Sequence, residues 1–166
     1  MKTRIFNLLI LDESGSMSSI EKQAVDSVNE TLQSVRSAQQ KYEDQEHFVS
    51  FVNFNSDGVK TVLDRAEALK AEDITPDQFN PACCTPLYDA IGKSVTELKK
   101  SVAENDKVLV TIITDGYENS SKEWDGKSVA KLIEECKEDG WMFSFIGAGE
   151  DVIKVATTIS ITNPMV

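Results

Sequence analysis

Five side chains that carry oxygen atoms lie next to apolar or amphipathic segments of the sequence. They are Asp12, Ser14, Ser16, Thr85 and Asp115. Carboxylate and hydroxyl oxygens suit hard divalent cations such as Mg²⁺, Mn²⁺ or Ca²⁺, whereas softer metals prefer nitrogen or sulfur ligands. These residue types therefore indicate a cation site, if the fold brings the three segments that carry them together.

The first three of these residues alternate along the chain, at positions 12, 14 and 16. A curved loop with this spacing can aim successive side chains at one point, and Gly15 permits a tight curve. Only two of the five groups carry a charge. If the hydroxyls bound the cation directly, it would stay electron-poor and favour an added anionic ligand, such as a carboxylate from a partner protein.

Short apolar runs in the sequence predict the strands. Four of them have the length and composition of buried strands: Ile5–Leu11, Phe48–Phe54, Val108–Ile113 and Trp141–Ile146. A fifth, Val59–Leu63, alternates and follows the turn signal Ser56-Asp57-Gly58. We interpret it as a hairpin partner of Phe48–Phe54, and hence as an antiparallel edge strand.

Helical periodicity separates these strands. Apolar residues step by three or four positions over Ile20–Val35, Leu87–Val102 and Val129–Cys136. A capping box of Ser18 and Glu21 is expected to start the first helix, and Pro86 suits the first position of the second. Short helices are expected at Arg65–Lys70 and Asp151–Thr158.

The order β-α-β-β-α-β-α-β predicts an α/β fold, with a mostly parallel, doubly wound central sheet, one antiparallel edge strand and helices on both faces. Ligands of such sheets bind outside the carboxyl ends of the strands. The loops after Leu11 and Ile113 and the one before Leu87 should then share one edge of the sheet.

Length and charge restrict the classes of function. The chain has 166 residues, enough for a single domain over 1–166, and a net charge of −11. This acidity argues against binding nucleic acid or anionic membranes. No apolar run approaches the ~18 residues of a membrane-spanning helix, and we expect no signal peptide. The expected location is therefore cytoplasmic.

The motif residues resemble one protein family. Asp-x-Ser-x-Ser after an apolar first strand, Thr85 before P-L-Y-D-A-I, and T-D-G after the fourth strand look like the von Willebrand factor A (VWA) family, from about Ile5 to Gly149. The resemblance implies a Rossmann-like domain with a metal-ion-dependent adhesion site. Ser14, Ser16 and Thr85 would be hydroxyl ligands, while Asp12 and Asp115 would act directly or through water.

That resemblance also implies a function: divalent-cation-dependent binding of a partner protein whose acidic side chain completes the metal shell, without catalysis. T-D-G-Y-E-N and the missing signal peptide look more like bacterial intracellular members. Family members usually continue beyond the equivalent of Val166 with a sixth strand and a last helix, so the sequence is either a compact member without them or a shortened piece of a longer one. The oligomeric state stays open.

Other readings of the same residues remain. A strand that ends in Asp12 also suggests a Mg²⁺-dependent phosphohydrolase with an aspartyl nucleophile, although that class needs an Asp where Ser14 stands. The domain could also be a metal-free scaffold. Thr85 could cap a helix and Asp115 could be a turn residue.

Several neighbours of the site have mainly structural readings. We expect Glu13 to be a solvated loop residue and His47 to lie at the surface or a strand edge. Asn119 could support the Asp115 loop, and Tyr117 and Trp124 could contact a partner. Cys83 and Cys84 are expected to be rim or buried thiols rather than a redox pair.

Overall fold

The structure, a computed structural model, describes residues 2–115 and 120–147, together with 156, 159 and 161. Within these residues five strands alternate with three α-helices: β1 Thr3–Asp12, α1 Glu21–Lys41, β2 Gln45–Asn55, β3 Gly58–Glu67, α2 Leu87–Lys99, β4 Lys107–Ile113, α3 Gly126–Glu138 and β5 Met142–Ile146. No helix in the described ranges is long and apolar enough to span a membrane.

The described strands form one sheet in the order β3-β2-β1-β4-β5. β1 lies at its centre and pairs in parallel with both β2 and β4, and β5 pairs in parallel with β4. β3 is antiparallel to β2. The predicted α/β fold with a mostly parallel sheet and one antiparallel edge strand is confirmed.

The central strands β1 and β4 are buried on both faces of the sheet, and each face carries apolar side chains. On one face Leu9 and Leu11 pack with the apolar side of α1. On the other face Leu8 and Ile10 pack with α2 and α3. Helices on both faces leave the ends of the central strands as the place where polar side chains can gather.

Three local predictions about helices differ from the structure. The segment Gly15–Ile20 forms a 3-10 helix that runs directly into α1, so the expected capping box at Ser18 does not form. The helix expected at Arg65–Lys70 is replaced by the end of β3 and a short 3-10 turn at Ala68–Lys70. Pro86 precedes α2 as its N-cap instead of occupying the first helical position. The helix expected at Asp151–Thr158 lies, apart from Ala156, outside the described residues.

The expectation that His47 lies at the surface or a strand edge is also wrong. This side chain is buried in β2, where its Nδ1 lies 3.3 Å from Asn7 Nδ2 and its Nε2 lies 2.8 Å from Gln45 Oε1. Burial lowers the pKa of the imidazole, which favours the neutral ring. The polar partners make burial of the histidine tolerable without any functional role.

Candidate functional site

Asp12 is the last residue of the central strand, and its side chain is fully buried. The backbone N–H of Ser14 donates a 2.8 Å hydrogen bond to Oδ1, and the Thr114 hydroxyl donates a 2.6 Å hydrogen bond to Oδ2. β1 and β4 are parallel neighbours, so their carboxyl ends bring these residues together. Both carboxylate oxygens of Asp12 are thereby held in fixed positions.

The environment of this carboxylate is electrostatically unfavourable. Burial raises the pKa of Asp12, the hydrogen bonds from Ser14 and Thr114 lower it, and the nearby negative charge of Asp115 raises it further. Asp115 is half-buried directly after Thr114. Two carboxylates close enough to influence one another, one of them buried, form a place where a cation would be stabilised.

The loop after β1 brings two serine hydroxyls together. Ser14 Oγ is 3.3 Å from Ser16 Oγ; Ser14 is buried and Ser16 is exposed. The 3-10 turn holds this pair, because the Met17 N–H donates to the Ser14 carbonyl at 3.0 Å and the Met17 side chain is fully buried. Adjacent oxygens around an octahedral Mg²⁺ lie about 3 Å apart, so this separation fits two ligands of one small cation.

The loop before α2 is attached to the loop after β1 by backbone hydrogen bonds. The Gly15 N–H donates to the Cys83 carbonyl at 3.0 Å, and the Ala82 N–H donates to the Glu13 carbonyl at 3.0 Å. Thr85, two residues beyond Cys83, is buried with 2% of its surface exposed. The attachment keeps Thr85 on the same edge of the sheet as Ser14 and Ser16.

Glu13 departs from the expected solvated loop residue. It is half-buried, and its Oε2 accepts a 3.1 Å hydrogen bond from the backbone N–H of Asn80. The side chain and the main-chain carbonyl of Glu13 thus both accept hydrogen bonds from the loop before α2. Cys83 and Cys84 are exposed at this edge, as expected of rim thiols.

Asp89, in the first turn of α2, organises the chain that follows Asp115. Its carboxylate accepts hydrogen bonds of 2.9, 3.0 and 2.8 Å from the backbone N–H groups of Lys122, Glu123 and Trp124. Its own N–H donates to Ser121 Oγ at 3.0 Å. The helix that follows Thr85 therefore also fixes the segment that follows β4.

Sequence reasoning did not single out Asp89 or Thr114 as site residues. Both belong to the motifs that carry the resemblance, T-P-L-Y-D-A-I and T-D-G. A buried hydroxyl directly before Asp115 and a carboxylate in the first turn of α2 were the available signals. Neither signal specifies a partner, because the contacts join residues far apart in the chain.

Some expectations concern residues that the structure leaves undescribed. Gly116, Tyr117 and Asn119 lie outside the described residues. Trp124 is described, and it is half-buried with its ring packed over Gly92. It is therefore mainly a packing residue and not the exposed aromatic that the sequence suggested.

The donor set of this edge consists of hydroxyl and carboxylate oxygens. Among the described residues no group of three or more His, Cys, Asp or Glu side chains could hold a metal ion. The proposed site is not such a cluster, because three of its five side chains are Ser or Thr hydroxyls and two are Asp carboxylates. This set of oxygen ligands fits a hard cation and not zinc or copper.

Comparison with protein families settles the classification. Residues 8–165 match the profile of the von Willebrand factor type A domain. The chain belongs to this family. The match begins within β1 and includes the other four strands. No curated protein sequence matches the chain.

Solved structures share the fold of this VWA domain. The vWF domain of the type V pili tip protein Mfa5 from Porphyromonas gingivalis superimposes with a TM-score of 0.66 at 9% identity, covering 98% of this chain and 88% of that one. The pilus adhesin SpaC from Lactobacillus rhamnosus GG gives 0.65 at 14% identity and 99% coverage. Proximal thread matrix protein 1 from the mussel byssus gives 0.61 at 14% identity and 93% coverage. At these identities the likeness concerns the fold alone.

The VWA domain spans only part of some of these proteins, namely 27% of the SpaC chain and 39% of the mussel protein. VWA domains are typical of adhesion and protein-interaction modules, which are generally not enzymes.

Proposed function

We propose that this VWA domain binds a partner protein through a divalent cation, Mg²⁺ or alternatively Mn²⁺ or Ca²⁺, in a metal-ion-dependent adhesion site. The observation that carries the proposal is the pair of serine hydroxyls 3.3 Å apart beside the buried carboxylate of Asp12. Ser14, Ser16 and Thr85 would contribute hydroxyl oxygens. Asp12 and Asp115 would contribute negative charge, directly or through water.

The cation would supply positive charge that an acidic partner group can bind. The protein chain itself has a net charge of −11, which repels an acidic partner. With mostly neutral hydroxyl ligands the cation would keep much of its charge and favour a carboxylate from the partner. Binding should consequently depend on the cation and not on the general charge of the surface.

The hydrogen bonds of Asp12 argue against the phosphohydrolase alternative. An aspartyl nucleophile needs an oxygen that can reach a phosphorus atom. Here Oδ1 accepts from Ser14 and Oδ2 accepts from Thr114, and none of the side chain is exposed. These contacts suit a carboxylate that supports a cation site better than one that attacks a substrate.

Location and relatedness within the family are part of the proposal as well. We infer a cytoplasmic module akin to the bacterial intracellular members, on the ground of the T-D-G-Y-E-N segment. The partner would be a protein, neither a nucleic acid nor a membrane, because the surface is acidic.

Thermal unfolding tests the cation site. Wild type, Asp12→Ala and Ser16→Ala would be melted in EDTA and then with Mg²⁺, Mn²⁺ or Ca²⁺. A cation at 100 times its Kd stabilises the fold by about 2.7 kcal/mol. For a chain of this length that is a rise of about 5–10 °C in Tm. We expect the rise in wild type and its loss in both variants.

Ser18→Ala is the matched control. Ser18 is an exposed serine of the same 3-10 helix, two residues beyond Ser16, and it is not in the proposed ligand set. Its rise in Tm should equal that of wild type. If no cation raises the Tm of wild type, even with acetate added in place of the partner carboxylate, the metal-free scaffold becomes the better reading.

A further inference from the structure

A cavity of about 700 Å³ lies between α2 and the β2–β3 side of the sheet, away from the five candidate ligands. Its floor is apolar and includes Leu8, Val52 and Leu98, all of which are buried. Cavities that hold small molecules have volumes of about 300–1,000 Å³ and mostly apolar walls with a few polar groups. The volume of this cavity falls within that range, and its lining combines an apolar floor with polar and charged residues at the mouth.

Trp124 forms one wall of the cavity, and Gly92 of α2 makes room for it. A Cβ atom at position 92 would lie 2.2 Å from Cδ2 of the indole, so any larger residue would displace the ring. The backbone N–H of Trp124 is fixed by Asp89. Trp124 is therefore fixed through its ring, which packs on Gly92, and through its backbone, which Asp89 binds.

One buried polar group of the cavity lacks a partner. Ser94 lines the cavity, only 7% of it is exposed, and its Oγ forms no hydrogen bond within the described part of the chain. A buried hydroxyl without a partner is unfavourable, and it can both donate and accept. Because this Oγ atom is shielded from solvent, it does not face the open volume of the cavity and sets no polar requirement on a ligand.

The charges at the mouth leave one cation unbalanced. Arg65 is paired with Asp64 at 3.0 Å and also donates to Ser101 Oγ at 2.8 Å. Glu97 is paired with Lys100 at 3.2 Å. Exposed Lys93 also lines the cavity, and among the described residues it takes part in no ion pair. The mouth thus matches a ligand with a single negative charge.

We propose that this cavity binds a small apolar molecule that carries one anionic group, such as a hydrophobic carboxylate. Lys93 contacts the anionic group at the mouth. The apolar body lies on Leu8, Val52 and the Trp124 ring. The proposal is independent of the cation site.

Two dyes that differ in one sulfonate test the proposal. The probes are 8-anilinonaphthalene-1-sulfonate and its neutral analogue N-phenyl-1-naphthylamine, titrated into the intact native chain. We expect one saturable site per chain for the sulfonate, with quenching of Trp124 fluorescence. Lys93→Gln should weaken binding of the sulfonate roughly five-fold and leave the neutral dye unchanged.

Two further variants complete the experiment. Lys127→Gln removes an exposed lysine of α3 that does not line the cavity, and it should bind both dyes like wild type. Thr96→Trp places an indole at an exposed position that lines the cavity, and it should abolish binding of both dyes without lowering Tm. Equal sulfonate affinity in wild type and Lys93→Gln would overturn the anionic assignment. Dye binding that survives in a cooperatively folded Thr96→Trp variant would overturn the site itself.

Discussion

The carboxylate of Asp89 accepts a 2.8 Å hydrogen bond from the backbone N–H of Trp124, 35 residues further along the chain. The same carboxylate also holds the N–H groups of Lys122 and Glu123. Asp89 therefore connects α2, which begins just after Thr85, with the segment that follows Asp115. The same helix therefore follows Thr85 directly and also holds residues 121–124, which lie between β4 and α3.

Replacement of Asp89 should loosen this segment. We expect Asp89→Ala to lower the free energy of unfolding by about 2 kcal/mol, because three N–H groups lose a charged acceptor. Asp89→Asn should cost less, since one oxygen remains. Denaturant unfolding measures the loss, and hydrogen exchange of residues 122–124 should become faster. The control is Glu97→Ala, which breaks an exposed ion pair on the same helix and should cost at most about 0.5 kcal/mol. If amide exchange stays unchanged in Asp89→Ala, Asp89 does not anchor the segment.

The Thr114 hydroxyl should be required for stability as well. Thr114→Val keeps the shape of the side chain but leaves Oδ2 of buried Asp12 without its donor. An unpaired buried acceptor costs about 1–3 kcal/mol. Thr114→Ser retains the hydroxyl and should recover most of that loss. Denaturant unfolding of the three proteins in EDTA measures the effect; an equal loss in Val and Ser variants would attribute it to packing instead.

Stability should depend on pH through Asp106. Hydrogen bonds from Arg4, at 3.1 and 2.6 Å, hold the pKa of Asp106 below its ordinary value. A carboxyl with a lower pKa in the folded state stabilises the fold above its unfolded pKa, and this contribution is lost as pH falls through the folded pKa. Because Arg4 is 43% exposed, we expect Asp106→Asn to cost only about 1 kcal/mol at pH 7.

The difference between wild type and Asp106→Asn should shrink below about pH 4. Urea unfolding at pH 7, 4 and 2.5 measures it. Asp26→Asn serves as the control, since its pair with Lys22 is exposed on α1 and should contribute almost nothing at any pH. If the difference in the free energy of unfolding between wild type and Asp106→Asn does not change with pH, the charge of Asp106 is not its cause.

The three cysteines should differ in reactivity. Burial raises the pKa of the Cys136 thiol to about 11, whereas Cys83 and Cys84 are exposed. At pH 8 about one Cys136 thiol in a thousand would be ionised, and the core shields it from reagent. Iodoacetamide should therefore label two cysteines quickly and the third only on unfolding, as mass spectrometry of the intact chain would reveal. Rapid labelling of Cys136 in the native protein would contradict its burial.

Much of the fold could be predicted because buried strands require apolar residues, which are visible in the sequence as apolar runs. β1 and β4 are covered on both faces, so Ile5–Leu11 and Val108–Ile113 are almost continuously apolar. The turn Ser56-Asp57-Gly58 likewise indicated the hairpin of β2 and β3. Local patterns failed where distant parts of the chain decide. Ser18 has a good capping sequence, but the buried Met17 side chain and the 3-10 turn determine how the chain enters α1.

The candidate site likewise combines residues that the sequence predicts with supporting contacts that it does not. Spacing and residue type pointed to Asp12, Ser14, Ser16, Thr85 and Asp115, and parallel strand ends bring their loops to one edge. Their role as cation ligands stays a prediction. The supporting contacts of Thr114 and Asp89 span 102 and 35 residues, respectively, and no local pattern specifies them.

The distance in sequence between Asp12 and Thr114 also matters while the protein is being made. Asp12 leaves the ribosome early, but the hydroxyl that pairs with its carboxylate is 102 residues away. At the usual rate of synthesis Thr114 is added roughly 5 to 20 seconds later. During that interval β1 cannot take its central place in the sheet, because β4 is still missing. A nascent chain that stops before β4 thus holds an apolar strand with a charged end and no place to bury either, which makes it a natural client for chaperones.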